Sequence, residues 1–131
     1  MKHLVLCLLI LASCSKSKPQ QNTMEKTIDY SGKLVHTVFF KLKNNEDRPA
    51  LLESLETFKK IELIKRLEIG IFEDTGNPKS DLSSHQVVVQ MTFDDLVAFR
   101  LYEKHPIHLA SIEATKDLMA GPPTGYDYII K

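Results

Sequence analysis

Hydrophobic and polar residues recur along the chain with the two periods expected of strands and of helices. A period of two, rich in β-branched and aromatic residues, predicts four strands, at residues 34–42, 67–73, 85–93 and 126–130. A period near 3.6 predicts three helices, at residues 49–61, 96–104 and 106–121. The order β-α-β-β-α-(α)-β predicts an α+β fold of the ferredoxin-like, split βαβ type, in which helices cover one face of a four-stranded antiparallel sheet.

The first predicted strand is apolar on both faces. One face carries Leu34, His36, Val38, Phe40 and Leu42, and the other carries Val35, Thr37, Phe39 and Lys41. Helices on one side of the sheet would leave the second face bare. A second copy of the same sheet can bury this face without any further element, so we expect a homodimer.

Two further patterns predict which residues face the core. On the third strand, His85 shares a face with Val87. On the last helix, an apolar stripe is predicted from Leu109, Ile112 and Met119.

Composition narrows the class of protein. The chain has 131 residues, of which 43% are hydrophobic, with 17 Lys and Arg against 17 Asp and Glu. This length allows one folded domain. The absence of net charge gives no reason to expect a nucleic-acid partner.

The N-terminus has the pattern of a secretory signal. Residues 4–12 are all apolar, but this run is too short to cross a hydrocarbon core of about 30 Å. Leu11-Ala12-Ser13-Cys14 resembles the bacterial lipobox, in which a cysteine after small residues receives a lipid. We expect a signal peptide at residues 1–13, a lipidated flexible tether at 14–32 and the folded domain at 33–131. The alternative is an ordinary secretory cleavage site followed by a chance cysteine.

Lipidation of Cys14 would anchor the protein to a membrane of the bacterial cell envelope. Ser15 follows the cysteine where an aspartate would signal retention, which suggests the outer membrane by analogy with enterobacterial sorting. Cys7 leaves with the signal peptide, so the mature chain has no free thiol for a disulfide or a cysteine-based metal site.

The segment Tyr102-Glu103-Lys104-His105-Pro106-Ile107-His108 resembles the Y-x-x-H-P-x-H corner of the stress-responsive dimeric α/β-barrel (Dabb) family. Three other stretches fit the same family: residues 35–42, Thr92-Phe93-Asp94-Asp95 and Tyr126-Asp127-Tyr128. The resemblance covers residues 33–130. It implies a dimer whose two sheets close into one barrel, with helices outside and a small cavity between sheet and helices.

Tyr102 and His108 are the candidate catalytic residues. One reaction known in the family is the aldol cyclisation of a polyketide chain, and the resemblance carries its tyrosine and histidine to these two positions. A histidine can remove a proton α to a carbonyl, and a buried phenol can donate to the oxyanion that forms. The alternative is structural: His105-Pro106 builds the corner, and His108 bonds a backbone carbonyl in the core.

His36, which the resemblance also matches, and His85 are candidate pocket residues. The structural alternatives are a satisfied core histidine for His36 and a half-exposed loop residue for His85. The histidines lack the spacing of a zinc site, and no nearby cysteine completes one, so we expect no metal. No glycine-rich phosphate loop is present, and we expect no cofactor.

Two functions stay open. The first is a membrane-anchored, dimeric binding or protective module that has no assigned reaction and whose cavity holds a small apolar molecule or nothing at all. The second is a cofactor-independent enzyme of the cyclase or isomerase kind that uses Tyr102 and His108. Anchoring in the envelope favours the first, because intracellular polyketide intermediates would not readily reach an exported domain.

Overall fold

The computed structural model describes residues 29–78 and 81–131. The predicted signal peptide, the lipid-attachment residue Cys14 and the tether as far as residue 28 lie outside the described residues. Within the described ranges, no helix has the length and apolar character that crossing a bilayer requires.

Four strands form one antiparallel sheet. They are β1 (Leu34–Phe40), β2 (Arg66–Ile71), β3 (Val87–Phe93) and β4 (Thr124–Ile129). Their spatial order is β2-β3-β1-β4, so β1 and β3 occupy the centre. All three neighbouring pairs are antiparallel. β1 carries apolar residues on both faces, whereas β3 carries Val88, Gln90 and Thr92 on the face away from the helices.

Three helices cover one face of the sheet. They are α1 (Arg48–Glu56), α2 (Leu96–Glu103) and α3 (Pro106–Thr115). Short 3₁₀ turns continue α1 over Thr57–Lys60 and α3 over Lys116–Leu118. The Asp95 carboxylate caps α2 by accepting a hydrogen bond from the Ala98 N–H at 2.8 Å.

The core lies between this helix layer and the sheet. Its most deeply buried apolar residues are Leu51, Leu55, Phe58, Ile61, Val87, Val89, Met91 and Phe93. The prediction of a ferredoxin-like α+β fold with helices on one face is confirmed.

The predicted apolar stripe of the last helix is wrong for Leu109 and Ile112, although Met119 is buried in the core. Leu109 and Ile112 are about half exposed, whereas the polar Ser111 and Thr115 are buried. The Ser111 hydroxyl lies 2.7 Å from the Ser54 hydroxyl of α1, and Thr115 Oγ1 donates to the Ser111 carbonyl at 2.7 Å. These hydrogen bonds satisfy the buried polar groups, so α3 packs on α1 through small polar residues.

Strand bounds also differ from the prediction. β1 ends at Phe40, and Leu42 instead forms an isolated bridge with Met119. The Leu42 N–H donates to the side-chain Oε1 of Gln86 at 2.8 Å. Because a side chain takes this bond, the regular pairing of β1 and β3 ends there. β4 begins at Thr124, two residues before the predicted start.

The other face of the sheet carries exposed aromatic residues and a polar row. The Tyr126 side chain is 65% exposed. Arg66 donates to Glu68 at 2.7 Å, and Gln90 donates to the same carboxylate at 3.2 Å. The main core lies on the helix side. On this second face, Val35, Thr37 and Thr92 are buried, and the Tyr30 ring lies 5.8 Å from the Arg66 guanidinium, so one end of the face is covered and the part around Tyr126 is exposed. We call this second side of the sheet the open face.

Candidate functional site

A cavity of about 570 Å³ lies between the sheet and the helices. It brings together His36 of β1, Tyr102 of α2 and His108 of α3, three of the four candidate catalytic and pocket residues named from the sequence. The rest of its wall is mainly apolar: Val38, Phe40, Leu51, Leu55, Phe58, Val89, Met91, Ile112, Met119, Pro122 and Pro123. The arrangement is a small polar cluster in an apolar pocket, as is usual for sites that bind small molecules.

The corner between α2 and α3 positions Tyr102 and His108. Pro106 lacks an N–H and occupies the first position of α3, and His105 caps that helix by accepting from the Ile107 N–H at 3.2 Å. His108 Nδ1 lies 3.1 Å from the Glu103 carbonyl oxygen, in the last turn of α2. A carbonyl only accepts, so Nδ1 carries the proton and Nε2 keeps its lone pair when the ring is neutral.

Burial determines the charge state of both rings. It lowers the pKa of His108, although the hydrogen bond to the Glu103 carbonyl partly offsets the effect. Burial also raises the pKa of Tyr102, with a further contribution from the nearby Glu103 carboxylate. At neutral pH, His108 is therefore a neutral acceptor and Tyr102 a protonated donor.

Aromatic contacts hold the phenol ring in place. The Tyr102 ring centroid lies 4.3 Å from that of His108, 5.0 Å from Phe93 and 6.0 Å from Phe58. Among the described residues, no group forms a hydrogen bond with the Tyr102 hydroxyl, and no inaccessible side-chain polar atom lacks a partner. The hydroxyl therefore opens onto the cavity that Tyr102 lines.

His36 is oriented by a carboxylate on the edge strand. Its Nδ1 lies 2.5 Å from Asp127 Oδ1, because the register of β1 and β4 sets these two residues opposite each other. Its ring packs at 5.0 Å from Phe99 and 6.3 Å from Tyr102. With Nδ1 donating to the carboxylate, Nε2 is the nitrogen free to act in the cavity.

The profile of the stress responsive A/B barrel domain (Dabb) family matches residues 34–124, from the first residue of β1 to the first residue of β4. The chain belongs to this family. The matched residues include the Tyr102–His108 corner, so the family assignment made from that motif is confirmed. No curated protein sequence matches the chain.

Solved structures share the fold. A Dabb family protein from Mesorhizobium loti is 25% identical, with a TM-score of 0.57 over 77% of this chain and 99% of that chain. A dimeric protein of unknown function from Bacteroides fragilis is 22% identical, with a TM-score of 0.60 over 78% and 100%. A hydroxynitrile lyase from Passiflora edulis is 15% identical, with a TM-score of 0.64 over 79% and 96%. These likenesses support the ferredoxin-like fold.

His85 does not lie in this Dabb cavity. Its predicted place on the core face beside Val87 is wrong, because β3 begins only at Val87. The His85 ring instead contacts Phe39 at 6.3 Å, and Phe39 points away from His36 on β1. His85 lines a separate hollow of about 380 Å³ beside the connection between β2 and β3.

Asp127 is the site residue that the sequence analysis did not single out. It belongs to the Tyr126-Asp127-Tyr128 stretch, but only the pairing of β4 with β1 reveals its contact with His36. Arg100 of α2 lies near enough to Asp127 to feel its charge. The pKa of Arg100 is raised mainly by its hydrogen bond to Glu103, with a smaller contribution from Asp127. No cluster of three or more potential metal ligands occurs among residues 29–78 and 81–131.

The lowered pKa of His108 predicts a pH-dependent stability. Below the ordinary value of 6.5, the unfolded chain binds a proton at His108 more readily than the folded protein does. The free energy of unfolding should therefore fall as pH decreases below 6.5, by at most about 1.4 kcal/mol per pH unit from this group. His108→Asn retains a donor for the Glu103 carbonyl and should remove this part of the loss, as measured by urea unfolding between about pH 7.5 and 5.

The matched control is His85→Asn, which removes a histidine outside the cavity and should keep the parent profile. A His108→Asn profile that is indistinguishable from the parent would contradict the prediction.

Proposed function

We propose that the chain is a lipid-anchored, homodimeric Dabb protein whose cavity binds a small, mainly apolar molecule. One observation carries the binding role. In an apolar cavity of about 570 Å³, the Tyr102 hydroxyl has no partner among the described residues. Because this hydroxyl opens onto the cavity, a ligand that accepts from it forms a hydrogen bond inside the apolar wall.

The polar cluster indicates which chemical group the ligand presents there. Tyr102 offers a hydrogen-bond donor, and His108 Nε2 offers an acceptor when Nδ1 is bonded to the Glu103 carbonyl. A carbonyl beside a hydroxyl, or an enol, satisfies both groups. The apolar wall accommodates the remainder of the molecule.

A second candidate is a cofactor-independent enzyme that works by proton transfer. It is favoured by the convergence of a neutral His108, a protonated Tyr102 and the Asp127-oriented His36 on one cavity. His108 Nε2 would take a proton from a carbon α to a carbonyl, and the Tyr102 hydroxyl would donate to the enolate oxygen. Return of the proton to another carbon gives an isomer. Attack of the enolate carbon on a second carbonyl, whose oxygen then takes the proton back from His108, gives an aldol ring.

The dimer covers the open face of the sheet. Support comes from the exposed tyrosines of that face and from the Bacteroides fragilis relative, which is dimeric. Two such sheets, packed face to face, bury the aromatic residues and leave each helix layer outside.

The cavity prediction compares two residues of α3 that have similar exposure. Ile112 lines the cavity, whereas Leu109 does not. Ile112→Trp should place an indole in the opening and weaken binding of the neutral fluorescent probe N-phenyl-1-naphthylamine by about tenfold. Leu109→Trp, the control, should bind as the parent does in a fluorescence titration. Equal affinities for both variants would contradict a ligand site in this cavity.

The proton-transfer candidate is tested with Tyr102→Phe and His108→Asn. Tyr102→Phe retains the ring packing, and His108→Asn retains the hydrogen bond to the Glu103 carbonyl. The melting temperatures of both variants should therefore stay close to the parent's. Each should lose ligand retained on purification, measured by native mass spectrometry, and any isomerase or cyclase turnover. His108→Ala also removes the bond to Glu103 and should cost about 1–3 kcal/mol of stability. Full ligand retention in Tyr102→Phe would exclude the phenol as the polar contact.

The dimer prediction uses one substitution at two sites. Val88→Glu puts a charge on the open face of β3 and should convert a dimer to a monomer, because burying an unpaired carboxylate at the interface is costly. Val97→Glu, on the outer side of α2, should leave the dimer intact. Light scattering gives the mass of each. A dimeric Val88→Glu protein would place the interface elsewhere.

The anchor prediction rests on the thiol of Cys14 as lipid acceptor. Cys14→Ala should leave an unprocessed precursor without label when cells grow on a radioactive fatty acid. Normal maturation and membrane retention of this variant would support the ordinary secretory signal instead.

A further inference from the structure

A second hollow, of about 430 Å³, lies between the start of α1 and the connection from β2 to β3. Its wall consists of six mainly polar residues: Asn45, Arg48, Phe72, Ser83, Ser84 and Gln86. None of the six lines the Dabb cavity. We refer to this place as the polar hollow, and it belongs to no site described above.

Arg48 is the one charged residue in the wall of the polar hollow. It is the first residue of α1, and its side chain is half-buried. Among residues 29–78 and 81–131, no group forms an ion pair or a hydrogen bond with its guanidinium. A guanidinium without a partner attracts an anion, and its planar fork of N–H groups matches the two oxygens of a carboxylate.

The acidic residues nearby in the chain leave Arg48 unpaired. Glu46 and Asp47 precede Arg48, but neither lines the polar hollow. Glu73 and Asp74 line the neighbouring hollow of about 380 Å³ instead. Repulsion from such surrounding carboxylates grows with the charge of a ligand. The site therefore favours a singly charged carboxylate over a doubly charged phosphate.

Two further side chains of the wall have donors to spare. The Oε1 atom of Gln86 accepts from the Leu42 N–H at 2.8 Å, which holds the amide, and its Nε2 has no partner among the described residues. The half-buried Ser83 hydroxyl likewise has no partner in this part of the chain. Ser84 differs, because its hydroxyl donates to the Asp81 carbonyl at 2.9 Å. Arg48, Ser83 and Gln86 thus offer three sets of N–H or O–H donors to one space.

Phe72 gives the polar hollow one apolar side. Its side chain is 42% exposed. The ring borders the neighbouring hollow as well, together with Ile71 and Leu82. An exposed aromatic ring packs well against a second ring, in an offset or edge-to-face arrangement. The group that accompanies the carboxylate is therefore flat and apolar.

We propose that the polar hollow binds a small aromatic carboxylate. Its carboxylate pairs with Arg48 and accepts from Ser83 and Gln86, and its ring packs on Phe72. The proposal depends neither on the Dabb cavity nor on the lipid anchor. Arg48 belongs to the helix layer, so a dimer that forms through the open face leaves its guanidinium accessible.

The test uses benzoate as the probe. A ¹⁵N-labelled chain of residues 14–131, which includes every described residue, is titrated and followed by NMR. Benzoate should shift the amide signals of Ser83 and Gln86. Acetate has no ring and benzyl alcohol has no charge, so each should bind about fivefold more weakly or less. Inorganic phosphate that binds as tightly as benzoate would overturn the assignment to an aromatic carboxylate.

Matched variants identify the contacts. Arg48→Gln should weaken benzoate binding by at least about tenfold, whereas Lys60→Gln, which removes the same charge from an exposed position after α1, should bind as the parent does. Phe72→Leu should weaken binding of benzoate but not of acetate, a difference that a loss of folding would not produce.

Three results would overturn the proposal. The first is unchanged benzoate affinity in Arg48→Gln, and the second is equal loss of benzoate and acetate binding in Phe72→Leu. The third is a set of benzoate shifts confined to Tyr102 and His108, which would assign the probe to the Dabb cavity. Failure of the cavity variants to bind their own probe would leave the benzoate result unaffected, so the two sites are tested separately.

Discussion

The hydrogen bond between His108 Nδ1 and the Glu103 carbonyl links the fold to the site. A helix end leaves backbone carbonyls without partners, and at the end of α2 the imidazole supplies one. The same bond fixes which nitrogen carries the proton, and so directs the chemistry of the other nitrogen to the cavity. The structural and functional interpretations of His108 are therefore compatible: one ring nitrogen holds the corner, and the other is available to a ligand.

Much of the fold could be predicted because the local sequence patterns agree with the positions that the elements occupy in the folded protein. Alternation along β1 and β3 matches their central positions, and Pro106 with Asp95 marks the starts of two helices. The corner motif brought Tyr102 and His108 together because they are six residues apart across a sharp turn. His36 reached the same cavity through its place on the core face of β1.

The errors arise where a side chain or a cavity replaces regular packing. Gln86 takes the Leu42 backbone N–H and ends the ladder, so the alternation that predicted the face of His85 does not extend to it. On α3, buried Ser111 and exposed Ile112 reverse the usual rule, because hydrogen bonds to α1 and an open cavity surround them. Asp127 could not be inferred, since cross-strand register is a property of the folded chain.

The edge strand β4 has a consequence for the kinetics of ligand exchange. Among the strands of the described residues, β4 pairs with β1 alone, and all six residues of β4 are exposed in the protomer. Its Gly125 lines the cavity, and its Asp127 holds His36. Detachment of this single strand would remove a wall of the cavity and release the orientation of His36 in one event. The lifetime of a molecule bound in the cavity would thereby be coupled to the fraying of the sheet edge, and a partner that clamped β4 would lengthen that lifetime without touching the ligand.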